Sequence, residues 1–438
     1  MAKSIFPIFF LTLLNNYYRL EVLLFAIYLF LFTWIVTKTK FFVRSGISKY
    51  WLAGLFLIKV ITGIVYGWLG IYEGGVARMN DTWTHHFNSL IQTQLLFNDP
   101  GAYFFGIFKG IEIRSVADFF ASTNSYWNNL KWNGYIKLLS IFNCFSFGNY
   151  YINVIFYSFI TFFGVVAIYR VMKAHLKAPD PVLITACFLV PSFLYWCSGL
   201  HKDGLTYLGI AVIIYIFYFY FINGVAKPRH YLLTALAFLM LFVFRNHVIV
   251  LLLPALAAWF IAVKMQLSAL KTFMVIYTIA AVCFFGLQYL HPSLNLPAIV
   301  AEKHEAFRQL GGNTTVDVQN LEPTLKGFIT YLPHASGLAV LRPYPGEIHK
   351  LLVLPAFLEL VIIWVLVIAA LYFSRKKRVF TPFGLFIFFF CVTMLLMIGY
   401  TQNNLGATVR YRSFLFPLFM PFILSSLYKY TIFKINYK

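Results

Sequence analysis

Apolar residues in this chain gather into long unbroken runs, and the polar residues are confined to the segments between them. Runs long enough, or nearly so, to cross about 30 Å of hydrocarbon fall at 21–37, 52–72, 151–171, 182–199, 204–223, 231–246, 247–263, 272–290, 351–373, 381–400 and 413–428. Only helices satisfy their own backbone in such surroundings without closing a barrel, and no alternating strand pattern is present. The pattern therefore predicts an all-α polytopic membrane protein with about 11 transmembrane helices, all of 1–438 forming a single integral-membrane domain. The two runs that meet at Arg245 read as two spans or as one kinked or re-entrant unit. Ile5 to Leu14 is too short to cross, and Asn15, Asn16, Tyr17 and Tyr18 follow it where a cleavage site would need small residues. An interfacial or half-inserted segment is expected there instead of a cleavable signal.

Composition agrees with this class. The chain is 61% hydrophobic and 11% charged, which excludes a water-soluble domain of this size. A formal charge of +21 raises the question of a nucleic-acid partner, and the position of the charge answers it. Basic residues cluster in alternate connections: Lys38, Lys40, Arg44 and Lys49; Arg170, Lys173 and Lys177; Lys227 and Arg229; Lys264 and Lys271; Arg375, Lys376, Lys377 and Arg378; Lys429, Lys434 and Lys438. By the positive-inside rule these face the cytoplasm, and the excess is a topology signal, with no nucleic acid implied. The intervening segments then face outward: 73–150, 200–203, 245–247, 291–350 and 401–412. Eleven of the 14 acids and all histidines except His175 and His230 fall on that side. The five cysteines, Cys144, Cys187, Cys197, Cys283 and Cys391, show no metal or disulfide spacing.

The outer segments carry the candidate chemistry. In the first long loop, 73–150, Asp81 and His85 are four apart, so on a helix they share a face, with His86 beside them. Asn80 or Asp81 serving only as a helix cap is the plainer alternative. Ring-rich stretches at 102–107 and 127–139 predict amphipathic helices that lie at the interface, either roofing a lateral opening or packing on the bundle. Two short outer turns consist almost wholly of charge and imidazole: His201-Lys202-Asp203 and Arg245-Asn246-His247. Lys202 at a helix start suits a phosphate, unless Asp203 caps that helix and pairs with it. Arg245 at membrane depth needs a carboxylate or phosphate partner, or must snorkel to the interface. At the end of the second long loop, 291–350, prolines hold Arg342 and Glu347 at the mouth of the bundle, and Glu359 follows inside an apolar run. The last outer turn carries Asn404, Arg410 and Arg412; in an extended stretch the two arginines lie on one side and suit phosphate oxygens.

This arrangement resembles the GT-C superfamily of integral-membrane glycosyltransferases, through the many spans and the acidic first outer loop, Asn80-Asp81 with His85-His86. It also resembles bacterial cell-surface polysaccharide proteins with patterns such as Pro191-Ser192, Ser198-Gly199, Lys202-Asp203, Arg342-Pro343 and Asn404 with Gly406, Arg410 and Arg412. The resemblance implies transfer of a sugar from a polyprenyl-phosphate-linked donor to a glycan, lipid or protein acceptor, at the outer face of a bacterial cytoplasmic membrane. It implies Asp81 as general base, with His85 and His86 beside it. Donor contacts would come from His201, Lys202, Asp203, Arg245, His247, Arg342, Glu347, Asn404, Arg410 and Arg412. Many members carry paired acids in the first loop, whereas Asp81 here lies between Asn80 and Thr82, leaving Asp81 with His85 as the pair for any divalent cation. Two other readings stay open: a polysaccharide polymerase or ligase acting on lipid pyrophosphate-linked glycans, and a lipid-linked glycan flippase or transporter.

Overall fold

With no water at membrane depth, backbone N–H and C=O groups must pair within the chain, and here helices do this. The computed structural model describes residues 5–72, 81–106, 126–310, 314–348, 351–373 and 381–435. Asn80, the 375–378 basic run, Lys350 and Lys438 lie outside them. Among the described residues the α-helices of eight residues or more are, in order, α1 (Ile5–Lys38), α2 (Lys49–Tyr72), α3 (Asp81–Asn98), α4 (Tyr126–Ser146), α5 (Tyr150–Leu176), α6 (Asp180–Phe188), α7 (Pro191–Ser198), α8 (Lys202–Ile216), α9 (Pro228–Lys264), α10 (Ala269–Gly286), α11 (Leu296–Leu310), α12 (Leu325–Ser336), α13 (Leu354–Phe373), α14 (Pro382–Thr401), α15 (Leu405–Ser413) and α16 (Phe416–Ile435). Among the described residues the only bridge of strand type joins Thr315 to Asn404. The chain is an all-α polytopic membrane protein.

Among the described residues, eight helical stretches are long and apolar enough to cross a membrane: parts or all of α1, α2, α5, α8 with its π-helical extension, α9, α10, α13 and α14. The pair α6 and α7, bent by 52° at Pro191, makes a ninth if taken as one span. Phe416–Tyr428 in α16 is a shorter apolar helix. The segment Ile5 to Leu14 is continuous with the first span in α1.

The runs 231–246 and 247–263 are joined in α9, broken at Arg245 by non-helical angles (φ −151°, ψ 67°). A straight 37-residue helix would be about 55 Å long. Yet His230 stacks on Tyr220, Leu241 packs over Gly209, Trp259 reaches Tyr218, and Lys264 approaches Gly224. Contacts therefore run up α8 and back down again, so the chain doubles back at Arg245. That sharp turn lies beside the first turn of α8.

The polar segments expected to share a side do share an end of the bundle. Asp81, His201, Asp203, Arg245 and Arg410 meet there. The opposite end has the Lys173–Asp180 ion pair at 2.7 Å and the His175–Thr381 bond at 3.2 Å. The helices of the first loop pack on the bundle. Trp83 of α3 donates to Gly67 O at 2.8 Å, its ring stacks on Tyr150 at 4.1 Å, and Thr82 bonds the Tyr150 hydroxyl at 2.7 Å. Buried amides continue the seam, with Asn143 donating to Ser89 at 2.8 Å and Asn153 donating to Asn143 at 2.6 Å. Asp81 therefore stands at the start of a docked helix.

The second long loop braces the corner between α14 and α15. Val316 N donates to Asn403 O at 2.8 Å, and Leu405 N donates to Thr314 O at 2.9 Å. His304 lies between Tyr400 O at 2.8 Å and Gln319 O at 2.9 Å. Both acceptors are carbonyls, so both bonds exist together only when the ring carries two protons. Below this corner α14 passes α12 so closely that a Cβ on Gly399 would stand 2.0 Å from Ala335 O. Gly399→Ala is expected to push the helices apart and destabilise the protein by about 1–3 kcal/mol, read as a lower unfolding temperature of the purified protein in detergent.

Candidate functional site

The site is built outward from Asp203, whose side chain is fully buried in the first turn of α8. An acid there faces the positive end of the helix. The preceding turn is held by His201 N donating to Gly199 O at 2.7 Å and by the Tyr157 hydroxyl donating to His201 O. Lys59 secures the end of α7 by donating to Cys197 O at 2.8 Å and Ser198 Oγ at 3.3 Å.

Three groups converge on the Asp203 carboxylate. Arg245 Nη2 donates to Oδ1 at 2.7 Å, Arg410 Nε donates to Oδ2 at 2.7 Å, and His201 Nδ1 lies 2.9 Å from Oδ2. Tyr411 separates the two guanidinium groups as a ring spacer, with Arg245 Cζ 4.2 Å and Arg410 Cζ 5.5 Å from its centroid. Trp196 covers another side of Arg410 at 5.7 Å. Burial works to raise the Tyr411 phenol, but the two arginines outweigh it and bring its pKa below the usual value.

Arg410 also connects this buried hub to solvent. Its Nη1 is 3.3 Å from Asp81 Oδ2, and the Asp81 side chain is 66% exposed where that of Asp203 is 0%. His201 Nε2 is 3.8 Å from the same Asp81 oxygen. The His201 imidazole and the Arg410 guanidinium hold the Asp81 carboxyl well below the usual range, against the upward push of burial. Asp81 is thus a carboxylate at physiological pH.

Other expected site residues divide by their contacts. Lys202 is close, its Nζ 5.6 Å from the Trp132 ring and 6.0 Å from Tyr135, and it forms no ion pair among the described residues. His85 lies 5.8 Å from the His201 ring, packed on Trp132 at 4.7 Å and Tyr135 at 5.0 Å. Burial pushes its pKa down to about 3, so it is a neutral packing group beside Asp81. His86 turns away toward Trp83 and Tyr150, and burial lowers it to about 4. His247 is half-buried just past the Arg245 turn, its N–H donating to Asn246 Oδ1 at 2.9 Å.

The rest are engaged elsewhere. Arg410 and Arg412 do not lie on one side, because α15 is helical and residues two apart point in nearly opposite directions. Arg412 is buried and donates to Ala339 O at 3.2 Å and Arg342 O at 2.6 Å, bracing the turn before α13. Asn404 caps α15, its Oδ1 accepting from Ala407 N at 3.2 Å and Thr314 Oγ1 at 2.9 Å. Arg342 pairs with Glu347 at 3.3 Å, and Glu347 accepts from Tyr344 N at 2.8 Å, which closes that turn on itself. The pairing of Asp81 with His85 for a divalent cation gains no third ligand. Among the described residues no group of three or more His, Cys, Asp or Glu side chains is placed to hold a metal ion, and Asp81 Oδ2 faces Arg410.

Several contributors had no sequence signal of their own. Trp132, Tyr135 and Trp196 looked like ordinary interfacial or core rings. Lys131, on α4 beside Trp132, is lowered to about 8 by burial and then by repulsion from Arg245 and Lys303, which places it in the same positive field. Tyr411 could have been noticed, because it stands between two arginines in sequence.

Two outcomes follow from this electrostatics. Asp203→Asn leaves two buried guanidinium groups without their shared carboxylate, and is expected to cost about 3–5 kcal/mol of stability, seen as a large drop in unfolding temperature. His85 and His86 are neutral when folded but bind protons near the usual 6.5 when unfolded, so they contribute fully above that value. That contribution is lost as pH falls toward their folded values, by up to about 1.4 kcal/mol per pH unit for each. Unfolding temperature should therefore fall between about pH 7 and pH 5, and fall less in a His86→Phe variant. Comparison with family models, with curated proteins and with solved structures found no match to this chain.

Proposed function

We propose that this protein is a membrane glycosyltransferase that moves a sugar from a polyprenyl-phosphate-linked donor to an acceptor hydroxyl on a glycan, lipid or protein. The observation that carries this reading is the pairing of an exposed carboxylate, Asp81, with a guanidinium, Arg410, that a second and buried carboxylate holds in place. A phosphate oxygen docks on the outward edge of Arg410. The acceptor oxygen attacks the anomeric carbon, its proton passes to Asp81, and the carbon–oxygen bond to the phosphate breaks. The electron pair leaves on the phosphate, whose growing charge Arg410 stabilises. Asp203, Arg245 and Tyr411 keep Arg410 rigid through that charge movement.

Transfer is favoured over transport by how the charges at membrane depth are used. Lys59 binds the end of α7, and Glu359 Oε1 accepts from Ser192 N at 3.0 Å at its beginning. Both are engaged by helix termini. A membrane-borne donor also suits a site at one end of the helices, facing the outside of a bacterial cytoplasmic membrane under the positive-inside rule.

Asp81→Asn is expected to reduce sugar transfer at least about 100-fold while the protein remains folded and membrane-inserted. Arg410→Lys, which keeps the charge but loses the planar fork, should chiefly raise KM for the donor. Both are measured by transfer from polyprenyl-phosphate-linked sugars with purified protein in lipid. Wild-type rates in folded Asp81→Asn protein would refute the assignment of the base.

A further inference from the structure

We infer that Asp81 is a carboxylate latch: it occupies the outward edge of Arg410 where the anionic donor binds, and donor binding releases it to act as base. This inference rests on the donor reading above.

Arg410 touches two carboxylates of opposite standing. Asp203 is sealed, fully buried and bonded to Arg410 Nε at 2.7 Å. Asp81 is two-thirds exposed and meets Nη1 at the longer distance of 3.3 Å. An incoming anion therefore displaces Asp81 and leaves Asp203 in place, because only Asp81 gains hydration as it moves away. The guanidinium does not follow, since Asp203, Tyr411 and Trp196 hold it on its other sides. The occupants are chemically interchangeable, as a carboxylate and a phosphate both offer an anionic oxygen to the same N–H edge.

The latch also sets the order of events. While paired, Asp81 is a poor proton acceptor, because the same His201 and Arg410 contacts that stabilise its negative charge depress its basicity. A phosphate on Arg410 offsets the charge of that positive neighbour, and the displaced Asp81 also leaves His201, and both changes raise its affinity for a proton. The acceptor O–H is then deprotonated by Asp81 as its oxygen bonds to the anomeric carbon, and the lipid phosphate departs with the electron pair of the broken bond. The base becomes competent only when the donor is present.

The test is equilibrium binding of farnesyl phosphate to the full-length protein in lipid nanodiscs. A competing carboxylate weakens anion binding, so Asp81→Asn should bind the probe about two- to fivefold more tightly than wild type although its sugar transfer is reduced. Asp81→Ser, which keeps a polar residue at the start of α3, should show the same gain. Arg410→Gln should weaken binding, and adding Asp81→Asn to it should restore nothing, because the gain requires the arginine. Equal or weaker binding by folded Asp81→Asn and Asp81→Ser, with wild type still binding, overturns the latch and leaves the donor reading standing. No binding by wild type or any variant overturns the donor reading and the latch together.

Discussion

Two guanidinium groups can approach each other inside so apolar a bundle only if one carboxylate accepts from both, and Asp203 does this with one oxygen for each. Everything at this end of the molecule depends on that sharing. Without it Arg245 would lose its carboxylate partner at the hairpin tip, and Arg410 would lose the buried carboxylate that fixes its Nε. The cost of dehydrating these charges is offset by short, charge-assisted bonds and by the rings of Tyr411 and Trp196 over their faces. The result is a rigid cation whose outward edge meets the exposed carboxylate of Asp81.

The rest of the fold serves to bring four distant segments to that point. The turn before α8, the fold-back at Arg245 and the corner between α14 and α15 lie at one end, while the bend between α6 and α7 falls within the bundle, where Ser192 N meets Glu359. Each is an irregular stretch of backbone, tolerated because a side chain satisfies it. Lys59 binds the end of α7, Asn246 receives the first N–H after the hairpin tip, and Asn404 caps α15. Polar residues that would be liabilities along a span thus become the fastenings of the places where spans begin and end.

The same economy separates charged from neutral groups in the first loop. His85 and His86 are adjacent in sequence, yet both are buried among aromatic rings that favour the neutral form. Asp81, one turn before His85, stays charged because His201 and Arg410 reach it from other parts of the chain. The acid and the imidazole therefore share a helical face without sharing a role.

Hydropathy is a local property, so the sequence by itself was enough to define an all-α membrane protein and to locate most of its apolar helices, although eight or nine spans stand among the described residues where about 11 were expected. It also singled out Asp81, Asp203, Arg245 and Arg410, since a charge beside an apolar run demands a partner. What it did not contain was who pairs with whom. Asp81 and Arg410 are 329 residues apart, and their contact follows from the order in which helices pack around α8. The same is true of Arg412: nothing local distinguishes it from Arg410, but a helical turn sends one arginine to the site and the other into backbone carbonyls. Local composition determines which segments enter the membrane. Only tertiary packing decides which charges meet, because that depends on distances through space to which sequence separation is no guide.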